Sequence, residues 1–572
     1  MDRKGTSRDV RSQKRKRKFR GNRHTVECDT SFATTSAEKL RSTNDTEVLI
    51  DRQHGYCILE FFSVFTAISN MVVCRNCQSD MKFNETQTHG LGFKIAVTCK
   101  CGVAYINSCP VIEKSYEINR RIVLVMRLLG LGIKGISLFC GLMDISQGLY
   151  TKTFDACLES IHITSKALYQ VVTKRAVEEE INKTLSTEHP MDYLTVSGDG
   201  TWEKRGFGSL FGVFAITGIF TKKVLDSVVK SSSCRNCSDW ERRSIDTIEY
   251  DIWFESHENQ CPAINRSGNA GKMEVDAVTE MFQRSQEKYG VYFTTYVGDG
   301  DSETFKNVLN TNPCDDDIVI TKKECIRHAE KRMGTRLRSV TRNTENIGGN
   351  GDGKLTNELI KHLTTHYGSA IRKNSNSVGD MKRAIWATLY HEASSDANPQ
   401  HEYCPSGSDS WCVWRQAEAK GTLEAFTHQK PPLNDAVITA IKPVYEDFTG
   451  DAFLERCLGA YTQNNNESLH SLIWTFVPRR MHCGKKTVEI ATFLAICIFN
   501  EGFQTILQVM SLMGITIGPN AKAYVDKRDN QRVNRTSGDL VNVPHARQSQ
   551  DETEELFFED EEDIFYGPDI AE

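Results

Sequence analysis

The order of apolar runs between residues 193 and 322 constrains this chain more than any other feature. YLTVSGD (193–199), SLFGVFAITG (209–218) and KKVLDSVVK (222–230) are short β-like runs joined by polar turns, which predicts an antiparallel meander. GKMEVDAVTEMFQRSQEKYG (271–290) then spaces Met273, Val275, Val278, Met281 and Phe282 as a helix does and stops at a glycine. VYFTTYVGD (291–299) and DDIVITK (316–322) supply two more strands.

Strand, strand, strand, helix, strand, helix, strand is the order expected of an α/β protein with a ribonuclease H-like mixed sheet. Two of the strands end in Asp-Gly, at Asp199 in LTVSGDGTW and at Asp299 in TTYVGDGDS, and a third acid, Glu467 in YTQNNNESLH, opens a later helix. Flanking glycines leave room for a cation to approach a carboxylate at a strand end. Such acids suit two divalent cations about 3.5–4 Å apart that activate a water or a 3′-hydroxyl and stabilise the leaving oxygen of a phosphodiester. Hard carboxylate oxygens select Mg²⁺ or Mn²⁺. One Asp-Gly alone is an ordinary turn signal; two at strand ends, with a third acid downstream, indicate a metal site. VGDGDS also offers Asp301 as a ligand, and Asp299 is preferred as the catalytic acid because it ends its strand as Asp199 does.

Nineteen cysteines in a chain whose first stretch is basic and polar, without the apolar core of a secretory signal, argue for reduced thiols. Three groups have metal-ligand character. Cys74-x2-Cys77 and Cys99-x-Cys101 bracket an alternating stretch, as the knuckles of a zinc ribbon do. Cys234-x2-Cys237 followed by His257-x3-Cys261 makes a closed structural Zn²⁺ site whose polar linker has little apolar surface of its own. His391, His401, Cys404 and Cys412 are more loosely spaced. In each group the alternative is unligated side chains, so one to three zinc ions are expected. Cys325 and His328 form a further C-x2-H pair one helical turn apart, placed either to support the acidic site or to pack.

The formal net charge of −5 conceals a polarity. Residues 1–24 carry 11 Lys/Arg against 2 Asp, and residues 551–572 carry 11 acids and no base. KRKRKFRGNRH (14–24) suits a nuclear localisation signal or a phosphate-contacting arm. The near-neutral body has no global basic field, so DNA contact falls to local patches such as KKECIRHAEKRMGTRLRSVTR (322–342). CILEFFSVFTAISNMVV (57–73) is short for a membrane span and contains Glu60 and Asn70, so it reads as a buried helix. EINRRIVLVMRLLGLGIKGISLFCGLM (117–143) reads as two amphipathic helices, either packed or forming a helix-turn-helix. GNGDGK, in the glycine-rich break at 347–354, lacks P-loop spacing.

The expected organisation is a basic disordered arm (1–45), a helix with a zinc ribbon-like module (46–112) and a helical, possible DNA-binding region (113–190). The first part of the core follows (191–340) with a zinc insertion (231–268), then a helical insertion (341–460), the core's C-terminal helices with the third acid (461–525) and a disordered acidic tail (526–572).

From the first cysteine group to about residue 515 the chain resembles the Mutator-like transposases, a branch of the cut-and-paste DDE/D transposases. The resemblance is carried, in order, by SGDGTW, CRNC with HENQCP, VGDGDS, CIRH, HEYCP with SWC, and NNNESLH; KRKFRGNRHT and EINRRIVLVMRLLGLG resemble the starts of such proteins. It implies a ribonuclease H-like catalytic domain with Asp199, Asp299 and Glu467 as its acids and helical sequence inserted before the last. It also implies that Cys325 and His328 match the family's C-x2-H motif. An enzyme of this kind cleaves double-stranded DNA at element ends and joins them to target DNA in the nucleus, as a homo-oligomer and away from membranes. The alternative is a non-catalytic nuclear DNA-binding or regulatory protein built on the same scaffold.

Overall fold

A computed structural model of the chain describes residues 39–40, 48–185, 192–203, 209–232, 234–242, 247–258, 261, 263, 270–299, 303–311, 313, 318–349, 351–477 and 483–536. The basic run 14–24, the acidic stretch 551–572 and Asp301 lie outside the described residues.

A small module comes first. Helix α1 (Phe61–Ser69) precedes an antiparallel sheet of β1 (Lys82–His89), β2 (Gly92–Cys99) and β3 (Gly102–Asn107). Helix α1 is not the buried helix expected over 57–73: it buries no residue, and Ile58, Phe62 and Met71 are largely exposed. Its packing is confined to one edge, where Phe61 meets Phe93 and Phe65 meets Phe83. A three-stranded ribbon is too small to cover more of it.

A two-stranded clip, β4 (Val111–Ile112) and β5 (Ser115–Tyr116), leads into α2 (Glu117–Leu128), α3 (Ile133–Leu142) and the long α4 (Thr151–Thr184). Helices α2 and α3 meet at 112°, within the range of a helix-turn-helix. However, α3 has a single base, Lys134, and exposes Leu138, Phe139 and Leu142, a face better suited to apolar contact than to DNA. No single helix among the described residues is long and apolar enough to cross a membrane.

The central sheet contains β6 (Tyr193–Trp202), β7 (Phe211–Gly218), β8 (Val224–Ser231), β9 (Tyr292–Gly298) and β10 (Thr321–Glu324) in the order β10-β9-β6-β7-β8. The first three strands form the antiparallel meander, while β9 pairs parallel to β6 and β10 parallel to β9. Period-two alternation divides β7 between two cores. Phe211, Val213 and Ala215 pack with α4 and the C-terminal helices, whereas Phe214 and Ile216 face Met273, Val278, Met281 and Phe282. Strand β10 starts later than the apolar run 316–322 suggested, because its partners are Thr295 to Gly298 and Val319 is left exposed.

Between β8 and β9 lie α5 (Arg235–Glu241), α6 (Ile248–Glu258), α7 (Ala270–Gln283) and α8 (Ser285–Tyr289); α9 (Glu303–Thr311) links β9 to β10. Next come α10 (Ile326–Asn343), α11 (Asn357–Lys373), α12 (Val378–Ala393), α13 (Val413–Ala419), α14 (Asp435–Phe448) and α15 (Asp451–Cys457). They have a core of their own that already includes Ile326, Ala329, Met333 and Leu337 of α10, ahead of residue 341, where the helical insertion was expected to start. The chain returns through α16 (Asn464–Phe476), α17 (Lys485–Glu501), α18 (Gln504–Leu512) and α19 (Pro519–Thr536). Helix α19 runs past residue 525, where a disordered tail was expected. Asp529 accepts from the backbone N–H of Phe503 and Gln504, and Arg532 donates to the carbonyls of Ile498 and Phe499, which ties the helix down.

Candidate active site

Strand β6 delivers Asp199, and β9 ends at Gly298, one residue before Asp299. The parallel register pairs Ser197 with Val297. That is the last pair between the two strands, two residues before each acid; Asp299 follows the end of β9, but Asp199 does not end its strand as expected, because β6 stays paired with β7 as far as Trp202. The adjoining glycines are explained by packing: a Cβ on Gly198 would lie 2.5 Å from one edge of the Tyr296 ring, and a Cβ on Gly298 2.5 Å from the other. Tyr296 is buried across both glycines.

Helix α16 brings the third acid. Gln463, just before it, donates from Nε2 to the Gly198 carbonyl at 2.7 Å. Asn466 donates to Ser197 Oγ at 3.2 Å and accepts from Thr217 Oγ1 at 3.0 Å. These bonds fasten the start of the helix to β6, close enough for the charge of Glu467 to bear on the Asp199 carboxyl. One turn on, His470 Nδ1 lies 3.9 Å from Asp199 Oδ2, and its buried Nε2 has no hydrogen-bond partner.

Helix α10 approaches from the other side. The buried Cys325 caps it and donates its N–H to the Gly298 carbonyl at 3.3 Å. His328 Nδ1 is 2.9 Å from Gln463 Oε1 and 3.9 Å from Asp299 Oδ1. The C-x2-H pair thus faces the acids. Arg327 Nη1 reaches Glu467 Oε2 at 3.2 Å, and Lys331 Nζ lies 3.7 Å from its other oxygen.

Electrostatics tie these groups together. Burial raises the Asp199 carboxyl, against the pull of His470 and His328. Burial tends to lower His328, but the hydrogen bond and charge of Cys325, then Asp299 and Asp199, more than offset it and push the imidazole up to about 9. His470 is lowered by burial despite Asp199 and Glu467. A fourth acid was missed in the sequence: Glu274 on α7, whose carboxyl is pushed up to about 8 by burial and then by the charges of Asp199 and Asp299. The donor set, all hard oxygens with imidazole nearby, fits Mg²⁺ or Mn²⁺. The oxygens of Asp199, Asp299 and Glu467 are not all within 4.8 Å of one another, in contrast to the sulfur and nitrogen groups described next.

All three Cys/His groups are gathered, each with four donor atoms within 4.8 Å of one another, and this fits zinc. Cys74 and Cys77 meet Cys99 and Cys101 at the turn between β2 and β3, with Cys74 Sγ 3.9 Å from Cys101 Sγ. Cys234 Sγ lies 3.3 Å from His257 Nε2, and Cys237 Sγ 3.6 Å from Cys261 Sγ. His391, at the end of α12, joins His401, Cys404 and Cys412, the last of which caps α13. His401 points Nδ1 at Cys412, 3.5 Å away, and Nε2 at Ser394 and His428, while His428 is held by Asp396 at 2.6 Å. Sequence reading had not picked out His428 or Asp396.

A scan against protein-family models matches the Mutator-like transposase model over residues 55–412. The chain belongs to the Mutator-like transposase family. Asp199, Asp299 and all three Cys/His groups fall inside the matched family segment, and Glu467 falls beyond it. Searches of curated proteins and of solved structures give no match. Family membership points to transposase chemistry and to DNA as the partner.

Proposed function

We propose that this chain is a nuclear DNA transposase that cleaves element ends and joins them to target DNA on a ribonuclease H-like domain. The observation that supports the reading is the parallel β6–β9 pairing, whose last pair, Ser197 with Val297, comes two residues before each of Asp199 and Asp299, while Gln463 and Asn466 fasten Glu467's helix to β6. The sheet order, a three-stranded meander extended by two parallel strands, supports the fold assignment.

Asp199, Asp299 and Glu467 are the proposed ligands of Mg²⁺ or Mn²⁺, with Glu274 a further acid nearby. Bound divalent ions at such a site supply the activation of water and of the 3′-hydroxyl, together with charge stabilisation at the leaving oxygen. The chain's own residues position the acids. Cys325 and His328 hold α10 against the end of β9, and Gln463 links His328 to β6. The three zinc groups are structural in this reading, and the basic run 14–24 supports nuclear entry and phosphate contact. Because an element has two ends, the active form is proposed to be a homo-oligomer.

The test is cleavage of candidate terminal repeats by the purified full chain in Mg²⁺ or Mn²⁺. Asp199→Ala, Asp299→Ala and Glu467→Ala should each abolish cutting while leaving the fold and DNA binding in place. A Glu467→Ala protein that still cuts overturns the assignment. Wild-type protein that binds the repeats but cuts them in neither metal supports the non-catalytic reading.

A further inference from the structure

Helix α10 carries a row of cations that starts at the third acid. Arg327, Lys331, Arg338 and Arg342 recur at intervals of four, seven and four residues, which puts them on one face. Helix geometry makes this row about 22 Å long, with its first two members at the acids. Arg327 and Lys331 are about half exposed, and each contacts a different oxygen of Glu467. Arg327 is also fixed by Asn464 Oδ1 at 3.0 Å. Among the described residues, Arg338 and Arg342 have no carboxylate within ion-pair distance.

Arg327 hydrogen-bonds one oxygen of Glu467 and Lys331 stands 3.7 Å from the other, so both cations compete with a divalent ion for the same carboxylate charge. They also spend on a carboxylate the charge that a DNA phosphate would otherwise receive. We propose that Arg327 and Lys331 form a two-position latch. Paired with Glu467, they mask the acid and themselves; when a divalent cation takes the Glu467 oxygens, the two bases are released to the DNA backbone and extend the row formed by Arg338 and Arg342. The acids at the end of the row and its phosphate contacts are then coupled, so metal strengthens DNA binding and DNA strengthens metal binding by the same factor. This inference rests on the reading of Glu467 as a metal ligand.

The test uses binding rather than cleavage, with the full chain, Mn²⁺ and a short duplex of arbitrary sequence. For wild type, Mn²⁺ should tighten duplex binding by roughly 5–150-fold, the usual span of such couplings. The slope of log affinity against log salt should steepen by about 1.8, the value for two added phosphate contacts. The Arg327→Ala/Lys331→Ala protein should lose the steepening and bind Mn²⁺ more tightly than wild type, whereas Arg327→Lys/Lys331→Arg should keep both wild-type responses. Glu467→Gln should show the steeper slope without Mn²⁺. Both alanine sites are solvent-exposed, so the fold should survive, and thermal denaturation checks it.

The latch is overturned if the double alanine protein keeps the Mn²⁺-dependent change in slope, or if Glu467→Gln matches wild type without metal. A separate failure, Mn²⁺ binding that survives Asp199→Ala/Glu467→Ala unaltered, would remove the metal-site reading itself.

Discussion

Gln463 Nε2 donates to the carbonyl of Gly198 across 2.7 Å, and this bond joins the helix of the third acid to the strand of the first. The same side chain receives His328 through its other amide atom, so one glutamine links β6, α10 and α16. The three elements carry acids or their immediate neighbours.

Replacing Gln463 with alanine should therefore damage the chemistry more than the fold. The loss of a buried hydrogen-bond partner costs about 1–3 kcal/mol, a modest change in melting temperature. Single-turnover cleavage should fall by at least about tenfold because the acids lose their common support. Retention of full cleavage by Gln463→Ala would show that α16 is held by other means.

Gly198→Ala and Gly298→Ala should both destabilise the protein, since each added Cβ lies 2.5 Å from the Tyr296 ring. Overpacking of this kind costs about 1–3 kcal/mol. Combining either change with Tyr296→Leu should recover part of the loss. Denaturant titration of the single and double variants would expose additive behaviour, which would contradict a clash with that ring.

Elemental analysis should find three zinc ions per chain, one for each group of four donors. Cys237→Ser should reduce this to two. The second group has little apolar support beyond Trp253, which stacks on His257 at 4.4 Å. Zinc removal should therefore change tryptophan emission, with a smaller change in Trp253→Phe. Full zinc content in Cys237→Ser would disprove the site.

Two neighbouring phenylalanines on α1 should behave differently. Phe62 is largely exposed, so Phe62→Ser should shift stability by no more than about 0.5 kcal/mol. Phe61 packs on Phe65 and Phe93, and Phe61→Ala should cost more. Equal, large losses in a denaturation experiment would mean that α1 is covered in solution.

The strand order was legible because period-two alternation is a local signal, and β6, β7, β8 and β9 lie close to their expected places, although β6 runs through its Asp-Gly to Trp202. The Cys/His groups were legible because zinc imposes short spacings within each half of a site. Helix α1 misled because an apolar run looks the same whether or not something covers it. Glu274 was hidden for the opposite reason. It is one acid among several in an amphipathic helix, and its closeness to Asp199 and Asp299 comes from how α7 crosses the sheet. Gln463, Asn466 and His470 sat in plain view beside Glu467, but their partners on β6 are hundreds of residues away in sequence.

The separate core of the insertion running from α10 to α15 has a consequence for how this family can vary. Closing a chain loop twice as long costs only about 0.6 kcal/mol more, and this insertion supplies its own packing in return. The length of its distal part, beyond α10, is therefore free to drift as long as its two ends, Ile326 and Tyr461, stay joined, as they are by a 3.0 Å backbone hydrogen bond. That bond, with those from Arg327 and His328 to Asn464 and Gln463, holds the two ends of the insertion together beside the acids.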